Sequence, residues 1–138
     1  MTSEETKVIS LLQPWASLVV IGAKTIETRS WTTAYRGPLM IHASKGKSGV
    51  AIASLPVFRK YIQDFSVLPF GAIIGEVVLT DVVRISELLM PPELLDKLTL
   101  EERAFGDYYA GRYAWLLKDA ITYEEPIPAT GRLGLWEF

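Results

Sequence analysis

With 138 residues, 49% hydrophobic and 22% charged at a net charge of −2, the chain has the composition of an ordinary soluble protein. Its length suits one core, so residues 1–138 read as one domain; without cysteine and with one histidine, His42, it has no disulfide framework, no thiolate nucleophile and little material for a histidine zinc site. The opening MTSEETK is polar and acidic rather than a signal peptide, and no apolar run approaches the ~20 residues that span a bilayer. The expectation is a cytoplasmic protein with no membrane partner, no metal and no cofactor, and with a disordered start over residues 1–6.

In chain order, residues 7–12 (KVISLL) read as a buried strand. Gln13-Pro14 opens a helix, with proline suited to its first turn, and Trp15, Leu18 and Val19 fall at helical spacing. Trp15 is placed either to pack in the core or, at the helix start, to wall a pocket. Gly22 is the residue to end the helix, since it accepts a positive φ. Residues 25–31 read as a strand with Thr25, Glu27, Arg29 and Trp31 on one face and Ile26, Thr28 and Ser30 on the other. An acid, a base and an aromatic ring on one face, with Lys24 at the preceding turn, have the composition of a site. The turn at Arg36-Gly37-Pro38 leads to a strand over residues 39–43, with Leu39, Ile41 and Ala43 facing one way and Met40 and His42 the other. A lone histidine there reads as a hydrogen-bonded rim group or as a site residue.

Residues 44–50 (SKGKSGV) make a small basic loop without the spacing of a P-loop, whose glycines and Lys45 can approach one or two phosphates. Residues 50–63 carry a helical pattern that Pro56 breaks into two pieces. After a turn at residues 68–71, the longest strand spans residues 72–83 and suits burial on both faces. Glu76 within it needs a partner, because an unpaired buried carboxylate is costly, and Gly75 marks a bulge or a close backbone approach. Pro91-Pro92 opens a short acidic helix over residues 93–97, and Thr99 with Glu102 forms a capping box for another over residues 100–104. Residues 105–112 (FGDYYAGR) either present Tyr108 and Tyr109 as a base-stacking lip or form a turn pinned by tyrosine hydrogen bonds. A strand over residues 113–117 sets Tyr113, Trp115 and Leu117 on one side. Residues 126–138 combine a Pro/Gly turn region with a final strand, LWEF.

Four blocks occur in order: GAKTIETR (residues 22–29) with YRGPLMIHA (35–43), LPFGAIIGEV (68–77), GRYAWLL (111–117) and PIPATGRLGLW (126–136). The first fits G-x-K-x-x-E-x-R and follows a W-A-x-x-[LIV] helix. With these blocks the chain resembles the ASCH (activating signal cointegrator homology) family over nearly its whole length. That resemblance implies an α+β fold, a small mixed β-barrel of five to seven strands with peripheral helices, similar to PUA domains. A closed sheet leaves few free edges and suits a monomer. The implied site is a cleft between the Trp15 helix, the Lys24 turn and the strands bearing Glu27, His42 and Glu76.

The charges divide unevenly. Residues 22–60 hold seven lysines and arginines against Glu27 alone, whereas residues 61–138 hold six against thirteen acids. A basic first half can meet phosphates, and an acidic second half repels a long polyanion, so short single-stranded RNA, a nucleoside or a nucleotide is the expected partner rather than long duplex DNA. The family is described mainly as RNA-binding, and in a binding module Trp15, Lys24, Glu27, Arg29, His42, Lys45, Tyr108 and Tyr109 would form the ligand site. The resemblance also admits a hydrolase, since small ASCH proteins include N4-acetylcytidine amidohydrolases and ribonuclease activity is attributed to others. There Lys24 would act as a base, with Glu27 or Glu76 relaying a proton. The amidase type places a threonine three residues after its lysine, and this chain has Glu27 in that position. A third reading makes Glu27 and Arg29 a structural ion pair.

Overall fold

The computed structural model describes residues 6–86 and 92–138. Among these residues six strands make one curled half-barrel sheet of the expected α+β class. They are β1 (Lys7–Leu11), β2 (Ile26–Arg29), β3 (Gly37–Ala43), β4 (Ala72–Arg84), β5 (Tyr113–Pro128) and β6 (Leu135–Glu137), arranged in the order β2-β5-β4-β3-β1-β6. β1 and β3 run parallel, and every other neighbouring pair is antiparallel. Among the described residues four short α-helices, α1 (Trp15–Val20), α2 (Pro56–Arg59), α3 (Pro92–Leu95) and α4 (Leu100–Phe105), lie between the strands in sequence.

The curl stops short of the closed barrel that the family resemblance suggested. β2 and β6 are the two ends of the sheet and are not paired with each other. β6 has three residues and pairs only with Lys7, Val8 and Ile9. β1 therefore runs past the start of β6 from Ser10 onward, and the seam of the half-barrel opens there.

Alternation along the strands sorts the side chains as a pleat requires. Leu39, Ile41 and Ala43 enter the main core with Ile9, Val77 and Trp115, while Met40 packs on the opposite face in a cluster with Val8, Ile73 and Trp136. α1 closes the concave side: Ala16, Val19 and Val20 join the main core, and Leu18 turns outward to Phe58 and Phe105. Gln13 anchors this helix. It is fully buried, its Oε1 accepts from the Ser17 N–H at 2.9 Å and its Nε2 donates to the Pro69 carbonyl at 2.9 Å. Pro14 sits at the N-cap, one place earlier than the first turn, so a glutamine side chain does the work of a capping group. Gly22 ends the helix at φ +81, as its position suggested.

Several expectations are corrected. The 50–63 segment is not two α-helical pieces: it forms 3-10 turns at Ser48–Val50 and Ile52–Ser54, and only Pro56–Arg59 is α-helical. Gly49 explains the tight geometry, since a Cβ there would lie 2.0 Å from the Gln13 carbonyl oxygen. The strand beginning at Tyr113 does not stop at residue 117. It continues through Pro128, so Pro126 and Pro128 belong to a strand and not to a turn. Ile121 pairs with Glu76 and Pro128 with Ala72, while Asp119 takes a positive φ of 54 and bends the strand. The polar run KDAITYEE hid this strand because six of its eight residues are exposed and it carries no buried face. Residues 1–5 of the expected disordered start lie outside the described residues, whereas the Thr6 carbonyl accepts from the Phe138 N–H at 3.3 Å. Pro91, read as opening the acidic helix, is also outside them, and α3 starts at Pro92.

Candidate functional site

The seam between β1 and β2 widens into two recesses that share Ser10, Arg29 and Ser44 and so form one continuous groove. The first, of about 320 Å³, lies against Trp15, Glu27, Phe105, Asp107 and Arg112. The second, of about 440 Å³, extends past His42 and Lys45 to residues 129–134.

Glu27 sits at the base of the first recess, 9% exposed. Beneath it, Lys24 is 1% exposed; its ammonium donates to the Ile26 carbonyl and to Glu27 Oε1, the latter at 2.8 Å. Beside it, Arg29 Nη1 reaches Glu27 Oε2 at 3.3 Å, and the guanidinium lies over Trp31, 5.7 Å from the ring centroid. Two cations hold one carboxylate, so the structural ion pair with Arg29 and an open recess are both present at Glu27.

β2 is held in place by Glu102, another buried acid. The Thr99 hydroxyl accepts from the Glu102 N–H at 3.0 Å, which is the first half of the expected capping box. The second half goes elsewhere: the Glu102 carboxylate accepts from the Thr25 N–H at 3.0 Å and the Ile26 N–H at 3.2 Å. Burial raises its pKa, against the lowering effects of these N–H groups and of Lys24. Arg112 pins the other end of β2, donating to the Thr28 carbonyl at 3.0 Å and the Asp107 carbonyl at 3.1 Å.

In the second recess His42 is 2% exposed. Its Nε2 faces the Ala129 carbonyl at 2.8 Å, which can only accept, so Nε2 carries a proton. Trp136 Nε1 donates to Ser10 Oγ at 3.1 Å, leaving the Ser10 hydroxyl proton for His42 Nδ1 at 3.0 Å. Both ring nitrogens are thus engaged, and the imidazole packs edge-on to Trp136. His42 builds the wall that holds residues 129–131 against β1 and β3.

Of the residues singled out from the sequence, the groove brings together Trp15, Glu27, Arg29, His42 and Lys45. Trp15 does both things its position allowed: its ring packs edge-on against Phe58 and its Nε1 donates to the Phe105 carbonyl at 2.9 Å, while it also walls the first recess. Lys24 lies under Glu27 rather than at the mouth. Glu76 lines neither recess: it lies beside Met40 on the face opposite Glu27, where it accepts from the Tyr123 hydroxyl at 2.7 Å, the partner a half-buried carboxylate demands. The bulge beside it is real, for His42 pairs with Ile73 and Ile41 with Gly75, leaving Ile74 extra. Tyr108 turns inward among Ile26, Leu94 and Leu116, and its hydroxyl has no hydrogen-bond partner among the described residues. Burial, then the charges of Glu102 and Glu27, push its pKa up. Tyr109 is 73% exposed and does not line the groove, so Gly106, Asp107 and Arg112 form the lip instead. Sequence reasoning missed Ser10, Ser44, Arg112 and Arg132 as groove residues; the two arginines stand inside blocks that carry the family resemblance, GRYAWLL and PIPATGRLGLW, which was the available signal.

Among the described residues no group of His, Asp and Glu is placed to hold a metal ion, and no helix is long and apolar enough to cross a membrane. Comparison with solved structures finds the same architecture. ASCH from Zymomonas mobilis (ZmASCH) superposes with a TM-score of 0.57 at 21% identity, covering 97% of this chain and 87% of that one. Two mutant forms of it give TM-scores of 0.58 and 0.56 at 20% and 19% identity, covering 98% and 100% of this chain and 91% of each of theirs. In sequence, Activating signal cointegrator 1 of Mus musculus and of Homo sapiens are each 38% identical over 79 residues, a stretch that is 53% of this chain and 14% of the length of either relative. The ASCH domain pattern itself matches residues 9–127, from the middle of β1 to the penultimate residue of β5, and the chain therefore belongs to the ASCH family.

Proposed function

We propose that the protein is an RNA-binding module that takes a nucleoside unit of short single-stranded RNA in the groove along the half-barrel seam. The observation that carries this reading is the lining of that groove. Trp15 offers an aromatic wall, Glu27 an acceptor already fixed by two cations, and Arg29, Lys45, Arg112 and Arg132 supply positive charge in a chain of net charge −2. An aromatic surface with polar groups for a base edge and cations for phosphate is how unstacked nucleotides are held. The family, generally RNA-binding, supports the same reading. The hydrolase alternative draws less support. Lys24, its base, is enclosed beneath Glu27, and Glu76 stands on the other face of the sheet.

Titrating short single-stranded RNA and duplex DNA against salt tests the proposal. Single strands should bind more tightly, with a shallow slope matching two or three phosphate contacts at about −0.7 each. Tighter duplex binding with a steep slope would refute it. Turnover of an N-acylated cytidine, lost on Lys24→Met without a matching loss of binding, would replace binding by catalysis.

A further inference from the structure

The two recesses differ in charge, and the difference is specific. In the first, Arg29 and Arg112 are balanced by Glu27 and Asp107. The second is lined by Arg29, Lys45 and Arg132 with no carboxylate among its described lining residues. Arg29 is shared with Glu27, but Lys45 and Arg132 form no hydrogen bond or ion pair with any described residue. Two uncommitted cations therefore face one recess in a protein that is acidic overall.

The recess is also shaped by bare backbone. Gly131 packs so close to its wall that a Cβ would lie 2.7 Å from His42 Cε1 and 2.9 Å from Ser10 Oγ. Gly71, at φ +67, lies under the methylene chain of Lys45, and a Cβ there would come within 3.0 Å of Lys45 Cε. The doubly bonded His42 ties Ala129 to β3, which fixes the loop that carries Arg132. Ser44 and Thr130 add hydroxyl groups to the lining.

Resting on the reading of the groove as an RNA site, we infer that the second recess is a phosphate subsite built for a terminal phosphomonoester, so that the groove takes a phosphorylated RNA end or a mononucleotide. Charge decides between an end and an interior. An internal phosphodiester carries one negative charge, whereas a phosphomonoester carries about −1.5 to −2 at pH 7 and presents three acceptor oxygens. Lys45 and Arg132 together match the second, with Arg29 at the junction reaching both recesses. Arginine suits this role because its planar fork can donate twice to one phosphate. No bond is made or broken: the subsite binds.

The test is competition by homotetranucleotides of adenosine, cytidine and uridine carrying a 5′-phosphate, a 3′-phosphate or hydroxyl ends, against a fluorescent short RNA. One phosphorylated end should bind about tenfold or more tightly than the hydroxyl-ended form, and the better end gives the direction of the strand. That ratio should fall close to one in Arg132→Met and in Lys45→Met, both exposed positions. Gly131→Ala, which leaves every charge in place, should lower it as well. Lys118→Met removes an exposed charge on β5 away from the groove and should keep the wild-type ratio. Equal binding of all three forms, with loss of binding in Trp15→Ala, would overturn the phosphate inference and leave the RNA reading standing. A ratio lost equally in Lys118→Met would reduce it to overall charge. If no form binds, both readings fall.

Discussion

Lys24 and Glu27 form a nearly enclosed ion pair, with Nζ 2.8 Å from Oε1 and side chains 1% and 11% exposed. They are three residues apart, and the pair is made because the chain turns at Gly22 and enters β2 with Glu27 directed back over the lysine. A buried charge that loses its partner keeps its desolvation cost. Lys24→Met should therefore destabilise the fold, by about 3 kcal/mol, even though Arg29 still reaches Glu27. Glu27→Gln should both lower stability and weaken RNA binding, since Glu27 alone of the pair lines the groove. Urea unfolding and RNA titration on the two variants check this. Lys24→Met with unchanged stability would show that the lysine is not the structural cation described here.

Trp136 separates structure from surface. Its ring is 7% exposed, packs on His42 and donates to Ser10. Trp136→Ala should cost about 3–5 kcal/mol. Tyr109→Phe, at a 73% exposed position, should stay within about 0.5 kcal/mol. Chemical denaturation of both variants measures the contrast.

Gly75 is held to its size by packing. A Cβ there would lie 2.3 Å from the Ile121 carbonyl oxygen and 2.7 Å from Val20 Cγ1. Gly75→Ala must push α1 away from the bulge in β4, at a cost of about 1–3 kcal/mol or more. A thermal melt at the wild-type temperature would contradict the close approach of β4, β5 and α1.

Glu102 gives a pH dependence with a definite sign. Burial raises its folded pKa above the ordinary 4.5. For a raised carboxyl, the folded state binds the proton more tightly than the unfolded chain. Its linkage contribution to stability is then full below the unfolded value and is lost as pH rises through the folded one. Glu102→Gln cannot titrate. The stability of wild type relative to this variant should accordingly fall as pH rises through and above the ordinary 4.5, read as the difference between two melting curves. A difference that grows with pH would mean that the N–H groups of Thr25 and Ile26 outweigh burial.

What the sequence determined by itself was local. The 3.6- and 2-residue periods placed α1, β1, β3 and β4, and Gly22 and Thr99 marked ends that the backbone respects, because each of these depends on neighbours along the chain. The four ordered blocks carried the family and, with it, the sheet that periodicity alone could not specify. Tertiary structure decided the rest. Glu102 looked like one half of a capping box, but a carboxylate 77 residues from Thr25 binds β2 because folding brings α4 against its first residues. Tyr108 and Tyr109 are adjacent in sequence and read alike, yet one is turned into a core and the other into water. Arg29, Lys45 and Arg132 meet in one recess although they lie more than one hundred residues apart at the extremes. No local pattern encodes that meeting. It follows from β6 beginning only at Leu135, opposite Ile9, which leaves the end of β1 uncovered and opens the seam into which those side chains converge.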